Sequence, residues 1–563
     1  MNFSNINQKY YPLIIAVVGA VFFIPNLGNV HLFDWDEINF AESAREMILT
    51  GDYWRVQIDF KPFWEKPPFF FWMQVLSMKT FGINEFAARF PNAIMGVITL
   101  VTLYVIGKKE KDTQFGLLWA LSYLGSLTPH LYFKSGIIDP TFNYFIFLGI
   151  YFSYIGLIPR TEYGKKPETK SQKQEARNQN QETRNKKQEA RYAFLAGLFI
   201  GLAVLTKGPV GGLIWGLVVV LFWAIYGRFR AIYSAIQIVI FFITCFAVAS
   251  IWFMNELITN GLWFFKEFLE YQVRLFSTSE AGHGQPFYYH FLVVLIGCFP
   301  ISILGFPKLF RILKPSENTT TWTRFAYLTF WVVMILFSLT TTKIVHYSSM
   351  TYFSLSFFAA TFIQSWLNGS SNWSLWHVIG TLFIGFLLSF ILSAVPYVGM
   401  NSEQIIPLIK DKFAAANFKA KVDWSGWEML IGICYFVVIL WVILSIKKAD
   451  SVNKKIRIIT PLFSATAITL FLYGAFVVPK IERYTQGAAI DFYESKQGQN
   501  VAVEVLGFKS YAHLFYFKKP ASQIAVTDTF YVTKIDRYDD YQSDSTLKFV
   551  EEKNGFVFLK KQN

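Results

Sequence analysis

The chain has 563 residues, is 53% hydrophobic and 19% aromatic, carries only 16% charged residues, and has a mean hydropathy of +0.34. A soluble domain carries about 25% charged residues, so composition excludes an ordinary cytosolic globule; repeated apolar runs of about 20 residues identify a polytopic helical membrane protein. The net charge of +14 is not one basic patch but falls in alternate loops, which argues against a nucleic-acid partner and follows the positive-inside rule.

In chain order, the first apolar run is Tyr11 to Val30, long enough to span and without a small-x-small cleavage site, so it reads as a signal anchor. About thirteen spans follow from the helix-length requirement: 11–30, 91–107, 114–133, 137–158, 192–206, 209–227, 231–253, 286–306, 325–341, 347–366, 374–396, 427–446 and 459–478. Lys207-Gly208-Pro209 splits one close pair. Basic clusters around Lys108, in 159–191, at Arg228/Arg230, around Lys308 and around Lys454 all fall on one side, which should be cytoplasmic. That places the N-terminus on the cytoplasmic side of the cytoplasmic (inner) membrane, and the 31–90 loop and the C-terminus outside.

Within the first outer loop, Phe40, Ala41, Ala44, Met47 and Ile48 have helical spacing, which predicts a helix lying along the membrane surface. Phe69 to Phe81 is too short to span and reads as a second interfacial helix. The 159–191 loop repeats QEARNQN, QETRNKK and QEAR with a seven-residue period but no apolar seam, so it reads as a solvated helix or a disordered basic loop. From about Lys480 the spans stop; Val501 to Val505 alternates like a strand, and the stretch around Asn554-Gly555 reads as a hairpin. The predicted fold is therefore an all-α polytopic membrane protein of about 13 helices, with interfacial helices in its first outer loop and a small α/β soluble domain. The boundary falls between 1–479 and 480–563. Cys245, Cys298 and Cys434 lie inside apolar runs and read as small core residues.

Ionisable residues are expensive beside a bilayer and so mark function. Asp36, Glu37, Glu65, Lys66, Lys134, Asp139, Lys207, Arg274, Glu280, His283, Lys343 and His346 all fall in outer loops or at outer span ends. A transporter or flippase places such groups near the midplane; an outer-face cavity fits an enzyme acting at the membrane surface. Each residue also has a plainer reading. Asp34 suits a helix N-cap, which leaves Asp36 for chemistry. Lys66 could snorkel to headgroups, and Asp139 before Pro140 could simply start a helix. His283 in a Gly-His-Gly loop is either a turn residue or a ligand. Lys343, His346 and Tyr347 suit interface anchors, and Glu42, Arg45 and Glu46 suit a solvated helix face.

DWDEINFAESAREMILTGDYW (34–54), FWEKPPFFFW (63–72), FGINEFAARFP (81–91), IIDPTFNYF (137–145), LTKGP (205–209), GHGQPFYYH (282–290) and the Lys343…His346-Tyr347 pair together resemble the GT-C class of lipid-linked-sugar glycosyltransferases. More narrowly, they resemble the superfamily of aminoarabinose transferases and protein O-mannosyltransferases. The resemblance runs over nearly the whole chain. It implies that Asp36, with Glu37 beside it, is the essential first-loop acid and Asp139 the second-loop acid. It also implies that Lys66 binds the phosphate of a polyprenyl-phosphate-sugar donor, helped by Arg274, Lys343, His346 and Tyr347. Some relatives bind a metal through the glutamate that matches Glu65 and a middle-loop histidine; the nearest residues here are Glu270 and Tyr271, with His283 as a substitute, so a divalent metal ion stays open.

The expected activity is inverting hexosyl or pentosyl transfer to lipid A or another cell-envelope glycan or lipid. Ser/Thr of a protein is the alternative acceptor. A polyprenyl phosphate leaves readily once its charge is held, which Lys66 and Arg274 can do as charge-assisted donors. For a hydroxyl acceptor Asp36 would take the proton; for a phosphate acceptor it would orient it.

Overall fold

The computed structural model describes residues 7–162, 172–226, 233–278, 284–311, 320–522 and 526–562. The segments expected to span fall on helices or on broken pairs of helices, although the first, 11–30, is helical only as far as Phe23. In chain order these are α1 (Tyr11–Phe23), α2 (Asp36–Thr50), α3 (Phe69–Phe81), α4 (Glu85–Glu110), α5 (Thr113–Leu124), α6 (Leu127–Tyr132), α7 (Asp139–Glu162), α8 (Gln172–Lys207), α9 (Val210–Tyr226), α10 (Ala235–Asn260), α11 (Leu262–Ser277), α12 (Tyr289–Gly297), α13 (Ile301–Phe310), α14 (Thr321–Leu339), α15 (Thr351–Leu367) and α16 (Leu375–Met400). The short α17 (Ser402–Ile405) and α18 (Lys412–Asn417) lead to α19 (Met429–Ile446) and α20 (Val452–Phe476). Among the described residues, seven helices cross by length and composition alone: α4, the Lys186–Lys207 part of α8, α10, α14, α16, α19 and α20. The repeat region of the basic loop enters α8, which begins at Gln172; residues 163–171 lie outside the described residues.

Chain punctuation sets where the helices break. α8 ends at Lys207 because Gly208 adopts φ +92°, a left-handed geometry favoured by glycine, and Pro209 then precedes α9. A Cβ at Gly208 would also meet the Phe268 ring at 3.1 Å. α12 and α13 break at Phe299-Pro300, where proline removes a backbone donor.

The end of the chain folds as α21 (Val478–Thr485), α22 (Gly487–Ser495), α23 (Ala512–Phe517), α24 (Ile535–Tyr538) and a four-stranded sheet. Numbering the strands along the chain, a small ribbon of β1 (Gln57–Ile58) and β2 (Lys61–Pro62) in the first loop is followed by β3 (Val501–Val505), β4 (Asp528–Lys534), β5 (Leu547–Lys553) and β6 (Phe556–Lys561). The large sheet has the order β3-β4-β6-β5, with β3 parallel to β4 and the other pairs antiparallel. The β5–β6 turn is the expected one: Asn554 and Gly555 both have positive φ, at 45° and 81°.

The C-terminal unit changes the reading of α2. Its apolar face joins Phe70 and Phe71 of α3, and Ala489, Ile490, Phe515 and Phe558 of the C-terminal unit, in one core. The face that carries Glu42, Arg45 and Glu46, expected to be solvated, is buried as well, at 0%, 2% and 0% exposure. Arg45 donates two hydrogen bonds to Glu42, at 2.7 and 2.6 Å, and a third to the Lys519 carbonyl at 2.9 Å. Helical spacing cannot distinguish a solvated charged face from one covered by a segment more than 400 residues away in the chain.

Glu46 accepts from the Phe60 N–H at 2.8 Å. Burial, with the Glu42 charge beside it, pushes its carboxyl up to about 8. A carboxyl whose folded pKa is raised holds its proton more tightly folded than unfolded, so stability falls as pH rises from about 4.5 to about 8. Glu46→Gln is expected to raise the unfolding temperature at pH 8 and to change it little at pH 4.5, as read by thermal unfolding of detergent-purified protein.

Candidate active site

Above the helix ends lies a cavity of about 910 Å³ whose walls come from the first loop, α4, α6, α7, α8, α11, the 342–347 segment, α20 and the C-terminal unit. Asp36, Glu37, Glu65, Lys66, Asp139, Arg274, His346 and Tyr347 all line it. Lys343 does not: it is 5% exposed and its ammonium turns back to the Thr340 carbonyl at 2.5 Å. The expectation for Lys343 as a donor ligand is therefore corrected, because a three-residue backbone bond takes its charge away from the cavity. His283 lies outside the described residues.

The two neighbouring acids of the first loop have different surroundings. Glu37 is 7% exposed, and each carboxylate oxygen accepts two hydrogen bonds. Oε1 accepts from Arg89 Nε at 3.0 Å and the Gly136 N–H at 2.5 Å; Oε2 accepts from an Arg89 terminal nitrogen at 2.8 Å and the Phe33 N–H at 3.1 Å. Burial works against the charge, but Arg89 and these donors outweigh it and hold the carboxyl below its ordinary range. With its acceptor positions filled, Glu37 is a strut, which corrects its expected place among catalytic groups. Asp36, at the first position of α2, is more open: its side chain is 30% exposed and its nearest ionic partner is His346 Nε2, 3.6 Å away.

Asp34 does not cap α2, contrary to the N-cap expectation. The residue before the helix is Trp35, without a side-chain cap, and Asp34 accepts instead from the Ser510 hydroxyl and the Tyr511 N–H of the C-terminal unit. Burial pushes its carboxyl up to about 6 against those two hydrogen bonds.

Opposite charges meet where two helices end. Asp139 begins α7, where the helix dipole favours an acid, and Lys207 ends α8, where it favours a base. Their side chains pair at 2.6 Å. His346 Nε2 lies 3.7 Å from the other Asp139 oxygen, so one imidazole stands between Asp139 and Asp36. Burial lowers the His346 pKa despite both acids, leaving a neutral ring at pH 7. The Lys207 ammonium is 5.0 Å from the Tyr347 ring centroid. Lys207 was visible in LTKGP and among the outer-face ionisable residues, but its place beside Asp139 depends on the packing of α7 against α8.

Lys66 forms the third cluster. It donates to the Tyr271 hydroxyl at 3.1 Å, lies 3.7 Å from Glu65, and stands 4.8 Å from the Tyr271 ring centroid. Burial disfavours its charge, yet Tyr271 and Glu65 more than compensate and hold the pKa above the usual lysine value. The Arg274 guanidinium lies 5.7 Å from the same ring, so Tyr271 is a platform between two cations. Glu270 faces elsewhere and pairs with Lys266 at 3.8 Å.

No group of three His, Cys, Asp or Glu suited to a metal occurs among the described residues. Glu65 is engaged by Lys66; of the residues expected near a second ligand position, Tyr271 faces Lys66 and Glu270 pairs with Lys266, while His283 lies outside the described residues.

Comparison with known proteins agrees with this architecture. Residues 65–163 match the family model described as dolichyl-phosphate-mannose-protein mannosyltransferase. A protein of Wigglesworthia glossinidia brevipalpis, the undecaprenyl phosphate-alpha-4-amino-4-deoxy-L-arabinose arabinosyl transferase, is 24% identical over 85% of this chain and 77% of its own length. The corresponding transferase 1 of Proteus mirabilis is 25% identical over 65% of this chain and 61% of its own. The crystal structure of ArnT from Cupriavidus metallidurans bound to undecaprenyl phosphate superposes with a TM-score of 0.72 at 17% identity, covering 98% of both chains.

The Glu37 assignment yields a direct contrast. Glu37→Ala leaves Arg89 buried without its partner and should destabilise the protein by about 3–5 kcal/mol. Asp36→Asn, on an open cavity wall, should change stability by no more than about 0.5 kcal/mol. Chemical unfolding of the two variants in one detergent distinguishes them.

Proposed function

We propose that this chain, a polytopic membrane protein of the GT-C fold, is a glycosyltransferase. It moves a sugar from a polyprenyl-phosphate donor to lipid A or a similar cell-envelope glycolipid. The supporting observation is the cavity itself, which brings Lys66, Arg274 and Lys207 together with Asp36 and Asp139 at the ends of apolar helices. The cavity and the C-terminal unit face the outside of the cytoplasmic membrane and the N-terminus lies inside, an orientation supported by the basic loops.

In this reading the donor phosphate lies against Lys66, Arg274 and Tyr271, with Lys207 and Tyr347 on its other side. Held cations stabilise the charge that grows on the phosphate as the anomeric carbon–oxygen bond breaks. The electron pair of that bond goes to the phosphate. An acceptor oxygen forms the new bond from the opposite face and inverts the anomeric centre. If that oxygen is a hydroxyl, Asp36 takes its proton, and neutral His346 can carry the proton on towards Asp139. If it is already a phosphate oxygen, Asp36 orients it. Glu37 holds Asp36 in place through the first turn of α2.

Protein Ser/Thr as acceptor is the second reading, favoured by the mannosyltransferase match over residues 65–163. With radiolabelled sugar donor in reconstituted vesicles, label in the lipid fraction supports the first reading and label in protein the second. Lys66→Ala is expected to lower kcat/KM at least about 100-fold, the scale for losing a preorganised charge donor; transfer that survives intact would refute the phosphate clamp. Asp36→Asn is expected to lower kcat about 100-fold or more with a hydroxyl acceptor while donor affinity persists. Parallel loss of donor binding would refute the role as base.

A further inference from the structure

Four lysines line the cavity: Lys66, Lys134, Lys207 and Lys509. Three are engaged by the protein. Lys66 has Tyr271 and Glu65, Lys207 has Asp139, and Lys134 donates to the carbonyls of Phe22, Phe23 and Pro25 that α1 leaves open at its end. Lys509, from the C-terminal unit, is exposed and has no carboxylate within ion-pair distance among the described residues. Its ammonium stands 4.5 Å from the centroid of the Trp35 ring.

Its placement is nonetheless held. Ser510 and Tyr511, the next two residues, hydrogen-bond Asp34, and the Tyr511 ring packs on Trp35 with centroids 5.3 Å apart. Lys509 is thereby fixed over the residue immediately before Asp36. The donor-side cations share a different aromatic platform, Tyr271, on a different element. An inverting displacement keeps the leaving phosphate and the incoming oxygen on opposite faces of the sugar. Lys509 lies over the ring of the residue that precedes the candidate base, lines the same cavity and stands apart from the Tyr271 clamp, which places it with the incoming group.

We infer that Lys509 is a specificity-determining residue through which the C-terminal unit reads a phosphate on the glycolipid acceptor. The inference rests on the transferase reading, and it makes the C-terminal unit part of the site.

The test uses full-length protein in phosphatidylcholine nanodiscs and measures binding of three probes: bisphosphorylated lipid A, its dephosphorylated form, and undecaprenyl phosphate. Lys509→Gln is expected to weaken bisphosphorylated lipid A about 10-fold, as for one lost charge-assisted contact. The other two affinities should stay unchanged, and Lys509→Arg should restore the first. Equal weakening towards undecaprenyl phosphate, equal weakening towards the dephosphorylated lipid, unchanged affinity for all three, or no binding of lipid A by the unsubstituted protein would each overturn it. The transferase reading fails on a separate readout, absence of sugar transfer by the unsubstituted protein, while the binding comparison still decides Lys509.

Discussion

The Glu37–Arg89 pair is the constraint on which the site depends. Arg89 reaches the carbonyls of Leu27, Val30 and His31 as well as Glu37, and Glu37 reaches the N–H groups of Phe33 and Gly136. One buried ion pair thus joins the end of the first span, the start of α2, α4 and the loop before α7. Loops next to a membrane core have few ways to satisfy backbone groups, and a guanidinium with five donors in a rigid fork satisfies several at once. Breaking such a pair strands a charge away from water, so its geometry tolerates little slack. Asp36 inherits that rigidity as the neighbouring residue.

A second clamp approaches from the far end of the chain. The Leu32 N–H donates to the Tyr516 hydroxyl at 2.6 Å, Gln486 donates to the Leu32 carbonyl, Lys519 pairs with Asp59 at 2.5 Å, and Asp34 accepts from Ser510 and Tyr511. The first loop is therefore held between the helical bundle below and the C-terminal sheet and helices above. This arrangement turns α2 from the surface helix its periodicity suggests into a buried element with both faces covered. Catalytic geometry benefits because sites supported by packed secondary structure hold position better than sites on free loops.

Charge in the cavity is divided by partner. Asp139 and Lys207 neutralise one another at two helix ends, Lys66 is shared between Tyr271 and Glu65, and His346 stands between Asp36 and Asp139. Such pairing lets several ionised groups lie close to a low-dielectric region without the cost of isolated charges. At Lys66 the hydrogen-bonded partner is the Tyr271 phenol and the Glu65 carboxylate stands farther off, so a phosphate can join this lysine without breaking a short ion pair.

Much of this protein is determined by the sequence alone. Apolar runs of bilayer length fix the helical spans, since unsatisfied backbone in lipid leaves few other structures. Gly208-Pro209 fixes the break that puts Lys207 at a helix end, and Asn554-Gly555 fixes the hairpin. The motifs around Asp36, Lys66, Asp139 and His346 marked the residues that line the cavity. What the tertiary structure decided are the partners. Glu37 and Asp36 are adjacent and chemically alike, yet one meets Arg89 and the other an open wall; Lys343 and His346 are three residues apart, yet only the histidine faces the cavity. Asp34 and the Glu42–Arg45–Glu46 face are covered by residues 509–519, a contact between distant segments that no local period encodes. Local sequence specifies which groups a segment can offer, and only the packing of remote segments decides which of those groups stay free for chemistry.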